Sequence, residues 1–267
     1  MRRPSINDSF RRIRSRMASS ARNILILDYD GTLAPFHVDP SKAQPYPGVR
    51  EILSRIQGSG GEIFLVTGRE PEEVKELLNL PVSPEIWGCH GAFRLLPDGS
   101  REMREVPAER LAHLDEAEKV ARDLQMGRIE RKTTSVAVHW RGEGDEAEAR
   151  IRRAVSDAWG RMGHAGFSVE KFDGGVELRM EGFDKGHAIN RIMEHFTQQD
   201  FAVYLGDDQT DEDGFAAIRK LGGLGILVRQ KCRDTRAGLW LKPPQGLKAF
   251  LELWLNGVSE RKEIINA

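Results

Sequence analysis

Short apolar runs alternate with one-sided helical stripes at both ends of this chain, and the alternation stops in the middle. That order is its most constraining feature. Asn23–Leu27 and Ile63–Val66 carry almost no polar alternation, as expected of strands buried on both faces of a sheet. Between them Val49, Ile52, Leu53 and Ile56 fall at i, i+3, i+4 and i+7, one stripe of a helix with Pro47 near its start. Val74, Leu77 and Leu78 mark another helix, opened by Pro71 with Glu72 and Glu73 in its first turn. Strand, helix, strand, helix predicts a parallel sheet in an α/β fold.

The texture changes near residue 97. Asp98-Gly99 is a hairpin dipeptide, and Thr134–Trp140 reads as a half-exposed strand. Phe167–Met180 reads as a strand pair broken at Asp173-Gly174-Gly175, and charged helical stretches cover about 107–125 and 143–162. The buried runs return as Ala202–Leu205 and Gly225–Val228. A last amphipathic helix follows through Leu247, Phe250, Leu251, Trp254 and Leu255, with Gly257 as its C-cap. The expected organisation is a discontinuous core of 23–97 plus 182–257, an α+β module of 98–181 laid on it, and a basic arm at 1–22. The length, 267 residues, suits two units at about 150 residues per domain.

Composition excludes several classes. Hydrophobic residues at 39% can form a core, so the chain is not disordered. Forty basic against 41 acidic side chains leave no bulk charge for nucleic acid or acidic lipid. Two cysteines make no disulfide framework, no run approaches the roughly 18–20 apolar residues of a membrane span, and the histidines form no HExxH site. Seven arginines in residues 1–22, with only Asp8 against them, lack the apolar stretch of a signal peptide; a solvated, partly helical arm and a cytoplasmic monomer are expected.

In open parallel sheets ligands bind beyond the carboxyl ends of the strands. Asp28-Tyr29-Asp30-Gly31-Thr32-Leu33 follows the first strand, Thr67-Gly68-Arg69 the second, and Gly206-Asp207-Asp208-Gln209-Thr210-Asp211 the Ala202–Leu205 strand. Each has an ordinary explanation: a turn, a helix N-cap, acids at a helix start. Together they put several carboxylates on one rim, where repulsion calls for a cation. Lys185, beside the N-cap candidate Asp184, is an unfavourable charge for a helix start unless an anion or carboxylates need it. Glu130 and Lys132, two apart on a strand, share a face, and Glu177 near Arg179 can join it.

DYDGTL, TGR, DKG and GDDQTDED, in this order, resemble the four motifs of the haloacid-dehalogenase (HAD) superfamily of phosphohydrolases. The long insert resembles that superfamily's large α/β cap, the C2 type, on a Rossmann-like core. LDYDGTL, CHGA, ERK with SVAVHWR, ELR and YLGDDQTDEDGF are, more narrowly, similar to trehalose-6-phosphate phosphatases. Thr67 stands where serine is more usual, and Met180 follows ELR where proline is common.

The resemblance implies a phosphatase acting on trehalose 6-phosphate, or else on another glycosyl phosphate such as that of sucrose or glucosylglycerol. Asp28 would attack phosphorus, Asp30 would serve as acid and then base, and Thr67 and Lys185 would hold the phosphoryl group. Mg2+ would sit among Asp28, Asp30 and Asp207, with Asp208 and Asp211 orienting its waters. Gly68, Arg69, Glu130, Lys132, Arg141 and Glu177 would contact substrate. Trp140 could face sugar, whereas His90 reads as structural. A trehalose-6-phosphate synthase is the implied partner; nucleic acid and membrane are not.

Overall fold

The computed structural model describes residues 5–125, 127–162, 166–172 and 174–266. The expectations that fall on residues 1–4, His164 and Asp173 lie outside these. In chain order the elements are α1 (Ile6–Ser19), β1 (Asn23–Leu27), α2 (Val49–Gly58), β2 (Glu62–Val66), α3 (Pro71–Leu78), β3 (Glu85–Gly88), β4 (Phe93–Leu95) and β5 (Arg101–Met103). The middle holds α4 (Ala108–Asp123), β6 (Arg128–Lys132), β7 (Ser135–His139), α5 (Asp145–Met162), β8 (Phe167–Phe172) and β9 (Gly175–Met180). The last third adds α6 (Lys185–Met193), β10 (Phe201–Gly206), α7 (Glu212–Lys220), β11 (Leu224–Val228), β12 (Leu239–Leu241) and α8 (Gln245–Asn266).

The larger sheet runs β12-β11-β10-β1-β2-β3-β4-β5. It is parallel from β12 to β3 and antiparallel beyond. In β1, Leu25 and Leu27 join a core with Ile56, Leu251 and Trp254, while Ile24 and Ile26 join Ile189 and Phe215 on the other face. Successive side chains of a strand point to opposite faces, and here both faces are covered by helices, which is why the run is apolar throughout. Burying such a side chain contributes about 1.5–3 kcal/mol, so the site is carried on a strand buried at every position.

The smaller sheet, β6-β7-β9-β8, is antiparallel throughout. Val136, Val138, Val176 and Leu178 pack on Leu114, Ala117 and Trp159 of α4 and α5. The opposite face carries Glu130, Lys132, Ser135, His139, Glu177 and Arg179. One face is apolar and one polar, as a sheet covered by helices on one side requires.

Several expectations are corrected. A boundary at residue 97 cuts the β4–β5 hairpin, because β5 pairs with β4 in the larger sheet. All three β5 residues are exposed, so no apolar signal marks it. The strand at Ser135–His139 is buried at four of five positions, not half-exposed, and Trp140, 4% exposed, belongs to the core of the middle module and not to a sugar site. The basic arm is a helix docked on the body: Ser5 caps α1 through the Asp8 amide, and Ile13 and Met17 are buried with Phe250 and Trp254 of α8. Gly257 is no C-cap, since α8 runs through it; a Cβ there would lie 2.7 Å from Met17 Cε, so a side chain at 257 would have to move Met17 aside. Among the described residues no helix is long and apolar enough to cross a membrane.

Candidate functional site

The chain leaves β1 at Asp28, whose amide still donates to the Leu205 carbonyl of β10 at 2.9 Å. It then turns sharply at Gly31, φ +76°, where a Cβ would lie 2.2 Å from Asp207 Oδ2. A side chain at 31 would therefore push apart the two acidic loops. Asp28 Oδ1 accepts from Lys185 Nζ at 2.7 Å, and Oδ2 accepts from Thr32 Oγ1 at 3.0 Å. Lys185 is held at the first turn of α6, where the Asp184 carboxylate accepts from the His187 amide. Its ammonium donates equally to Asp211 Oδ1 at 2.7 Å.

Asp211 is fully engaged. Oδ1 also accepts from the Tyr204 hydroxyl, and Oδ2 accepts from the Asp207 and Asp208 amides at 2.9 and 2.8 Å. With both oxygens committed, it fixes Lys185 and the acidic loop. Arg229 closes the other side, with Nη1 3.5 Å from Asp207 Oδ2 and 3.9 Å from Asp208 Oδ1.

Burial decides the electrostatics. Asp28 is pushed up to about 7 by burial, aided by Asp211 and Asp30, with Lys185 pulling against them. Asp207 is held well above the carboxylate range by burial and by the charges of Asp211, Asp28 and Asp208. For Asp211 burial also opposes ionisation, but Lys185, Tyr204 and the backbone bonds outweigh it and the net shift is downward. Asp28, Asp207 and Asp211 place carboxylate oxygens within 4.8 Å of one another. Asp28 and Asp207, buried hard oxygen donors raised by burial and by mutual charge, fit a hard divalent cation, with Asp211 fixed behind them.

Asp30 and Arg69 form a bidentate pair, Nε–Oδ2 2.6 Å and Nη2–Oδ1 2.7 Å, and Arg69 Nη1 donates to the Pro40 carbonyl at 3.0 Å. Arg69, expected on substrate, is thus committed to Asp30. Thr67 is 1% exposed, its hydroxyl accepting from the Arg69 amide at 3.2 Å; Gly68 and Arg69, not Thr67, line the cavity above.

That cavity, about 390 Å³, lies between this rim and the polar face of the smaller sheet. Asp28, Asp30, Lys185, Asp207 and Asp208 line one side, and Glu130, Lys132, Arg141 and Glu177 the other. His139 Nε2 lies 2.6 Å from Glu130 Oε2, and Lys132 Nζ sits 3.7 Å from Glu130 and 3.8 Å from Glu177. Ser135 Oγ donates to Glu177 Oε1 at 2.6 Å. Burial opposes the Glu130 charge, yet His139, Lys132 and Arg128 hold its carboxyl down at about 2. Glu177 is held well below the usual range in the same way by His90, Lys132 and Ser135. Arg141 lies over the Phe36 ring at 4.3 Å. Arg179 reaches across to Asp213 of α7 at 3.5 Å, tying the two sheets' layers together.

Sequence reasoning missed Thr32, Tyr204, Arg229 and the lining aromatics Phe36 and Phe172, and it set His90 aside. Thr32, four residues past Asp28 in DGTL, and Tyr204, at the head of YLGDDQTDEDGF, left a signal.

Residues 26–242 match the family model for trehalose-phosphatase. The chain is 31% identical over 228 residues to the trehalose-phosphate phosphatase of Mycobacterium marinum, covering 81% of this chain and 56% of that one. The chain therefore spans about half the length of such mycobacterial relatives. A solved structure described as a trehalose-6-phosphate phosphatase related protein matches at TM-score 0.69 and 25% identity, over 89% of this chain and 99% of that one. The C-terminal domain of the Candida albicans trehalose-6-phosphate phosphatase shares the fold at TM-score 0.78 and 19% identity, over 96% and 98%.

Proposed function

This chain belongs to the trehalose-phosphatase family, and on that premise we propose that it hydrolyses trehalose 6-phosphate to trehalose and phosphate, with Mg2+ bound. The observation that carries the reading is a buried carboxylate, Asp28, oriented by Lys185 and Thr32 beneath a cavity whose far wall is lined with Glu130, Lys132, Arg141 and Glu177.

One oxygen of Asp28 attacks phosphorus as the bond from phosphorus to the sugar oxygen breaks. Asp30 releases its two bonds to Arg69, takes a proton from solvent and gives it to the leaving oxygen, and then takes one from the water that cleaves the aspartyl-phosphate. Lys185 keeps positive charge beside the reacting group, and Asp211 keeps Lys185 in place. Asp28, Asp207 and the Asp30 backbone carbonyl are the groups to hold Mg2+, with Asp208 beside them; Asp211, fully engaged, supports from outside. Bound Mg2+ supplies Lewis-acid charge on the phosphoryl oxygens. On the opposite wall Glu130, Lys132 and Glu177 accept from and donate to sugar hydroxyls, and Arg141 adds a donor near the mouth. The enzyme that supplies this substrate, a trehalose-6-phosphate synthase, is the partner this reading implies.

The direct test is phosphate release from trehalose 6-phosphate, sucrose 6-phosphate, glucosylglycerol phosphate and glucose 6-phosphate, with and without Mg2+. Trehalose 6-phosphate should lead by at least tenfold in kcat/KM; preference for another member replaces the substrate and leaves the chemistry.

Chelation by EDTA is expected to abolish release and Mg2+ to restore it. Asp207→Ala should raise the Mg2+ concentration needed for half-activity by more than tenfold. Full turnover in metal-free buffer would exclude this role for the acidic cluster.

Glu130→Ala and Lys132→Ala should each lower kcat/KM for trehalose 6-phosphate by about 10–100-fold, the scale of a charged hydrogen bond at roughly 1.5–3 kcal/mol. Hydrolysis of p-nitrophenyl phosphate, which lacks the sugar, should change less than threefold. Equal loss of both activities would mean that this wall does not read the sugar.

A further inference from the structure

Resting on the sugar-phosphate reading above, we infer that His90 is a positioning residue: it joins the Thr67–Arg69 loop to the sugar-facing wall by holding Glu177, and so tunes discrimination between a sugar phosphate and a small phosphate.

The argument begins with the backbone. Cys89 and His90 are consecutive non-glycine residues in the left-handed region, at φ +46° and +56°. L side chains avoid that region, and such strain persists only where the surroundings impose it, commonly at working sites. Here the surroundings are identifiable. The Cys89 amide donates to the Arg69 carbonyl at 2.8 Å and the His90 amide to the Thr67 carbonyl at 2.9 Å, bracing the turn on the loop after β2. Next in line, Gly91 lies against Ala188 of α6, the helix that carries Lys185; a Cβ there would sit 3.1 Å from the Ala188 Cβ. From the smaller sheet's side, Thr134 Oγ1 donates to the Cys89 carbonyl at 3.4 Å.

This bracing delivers the imidazole to Glu177. His90 Nε2 lies 3.3 Å from Glu177 Oε2, with the two residues 5% and 2% exposed. Gly68 makes room for the ring, because a Cβ at 68 would lie 2.8 Å from His90 Nε2. For this contact to be a hydrogen bond, Nε2 carries the proton and donates. Burial, with Arg179 and Lys132 nearby, lowers the imidazole's affinity for a second proton. Donation from Nε2 orients Glu177 and leaves the carboxylate acceptor capacity for a hydroxyl group.

The experiment is a double-mutant cycle on the full chain: wild type, His90→Asn, Glu177→Gln and the double variant. Thermal unfolding is recorded for each, and kcat and KM are measured with trehalose 6-phosphate and with p-nitrophenyl phosphate. Asparagine tolerates the left-handed conformation but is shorter, so it keeps the turn and loses the contact. His90→Asn should raise KM for the sugar phosphate about tenfold, with kcat/KM for the aryl phosphate falling less than threefold. Added to Glu177→Gln, it should cost less than a further twofold. His90→Gln, a longer donor, should recover most of the KM. Equal losses on both substrates, multiplicative losses in the double variant, or no recovery with glutamine would overturn the inference. If wild type prefers another sugar phosphate, the substrate reading alone fails, and the same cycle run on the preferred sugar phosphate still decides the role of His90.

Discussion

Asp28→Asn is expected to yield a folded protein with no measurable phosphate release from any sugar phosphate, a loss of at least about 10⁴-fold. The amide is isosteric with the carboxylate but cannot accept a phosphoryl group. Stability should move the other way. The folded state raises the Asp28 carboxyl from its ordinary 3.8 to about 7, chiefly by burial, so it binds this proton more tightly than the unfolded chain does. Metal-free wild type should therefore lose stability as pH rises from about 4 to 7, and the asparagine variant should lose less, because Asp207, also raised, stays in place. Unfolding midpoints across that window, with phosphate release beside them, check both parts. Retained turnover would remove Asp28 as the acceptor, and a wild-type pH slope in the variant would assign the slope to another group.

Lys185→Met should cost stability and activity together. Lys185 donates to Asp28 and Asp211 at 2.7 Å, and all three are buried. A methionine of similar length leaves two carboxylates without their cation. Removing one partner of a buried ion pair costs about 3–5 kcal/mol, or an unfolding midpoint lower by roughly 6–20 °C in a chain of this size. Turnover should fall by about 10²–10³-fold, the scale of losing one preorganised donor. An unchanged midpoint would mean that the pair offers the fold nothing beyond what an apolar contact supplies.

How much of this could be read from residues alone depends on how local the cause is. The rim was legible because β1 and β10 are buried runs, so the acids that follow Leu27 and Gly206 must emerge at strand ends. Glu130 and Lys132 were legible as a pair, because a spacing of two fixes a common face. β5 was not, since its exposed residues give no periodic signal. The docking of α1 was hidden for a related reason: its buried stripe, Ile13 and Met17, is narrow among arginines, and the groove that receives it is shaped by Gly257 far along the chain. Asp211 had the right chemistry and an incomplete description. Its four bonds depend on how the loop after β10 folds back, which spacing does not encode. Arg69 was seen as a site charge, but its partner, Asp30, is set by tertiary placement.

The central position of β1 has a consequence for the order in which this molecule can be made. Its neighbours are β2, close behind it in the chain, and β10, which begins at Phe201. Until the ribosome has passed that point, one edge of this fully buried strand stands unpaired, and Asp28 waits for a lysine 157 positions away. Contacts of such long range form late, because loop closure precedes their reward. In refolding from denaturant, helical signal should return before phosphate release does, with activity appearing only when the last third has closed the sheet.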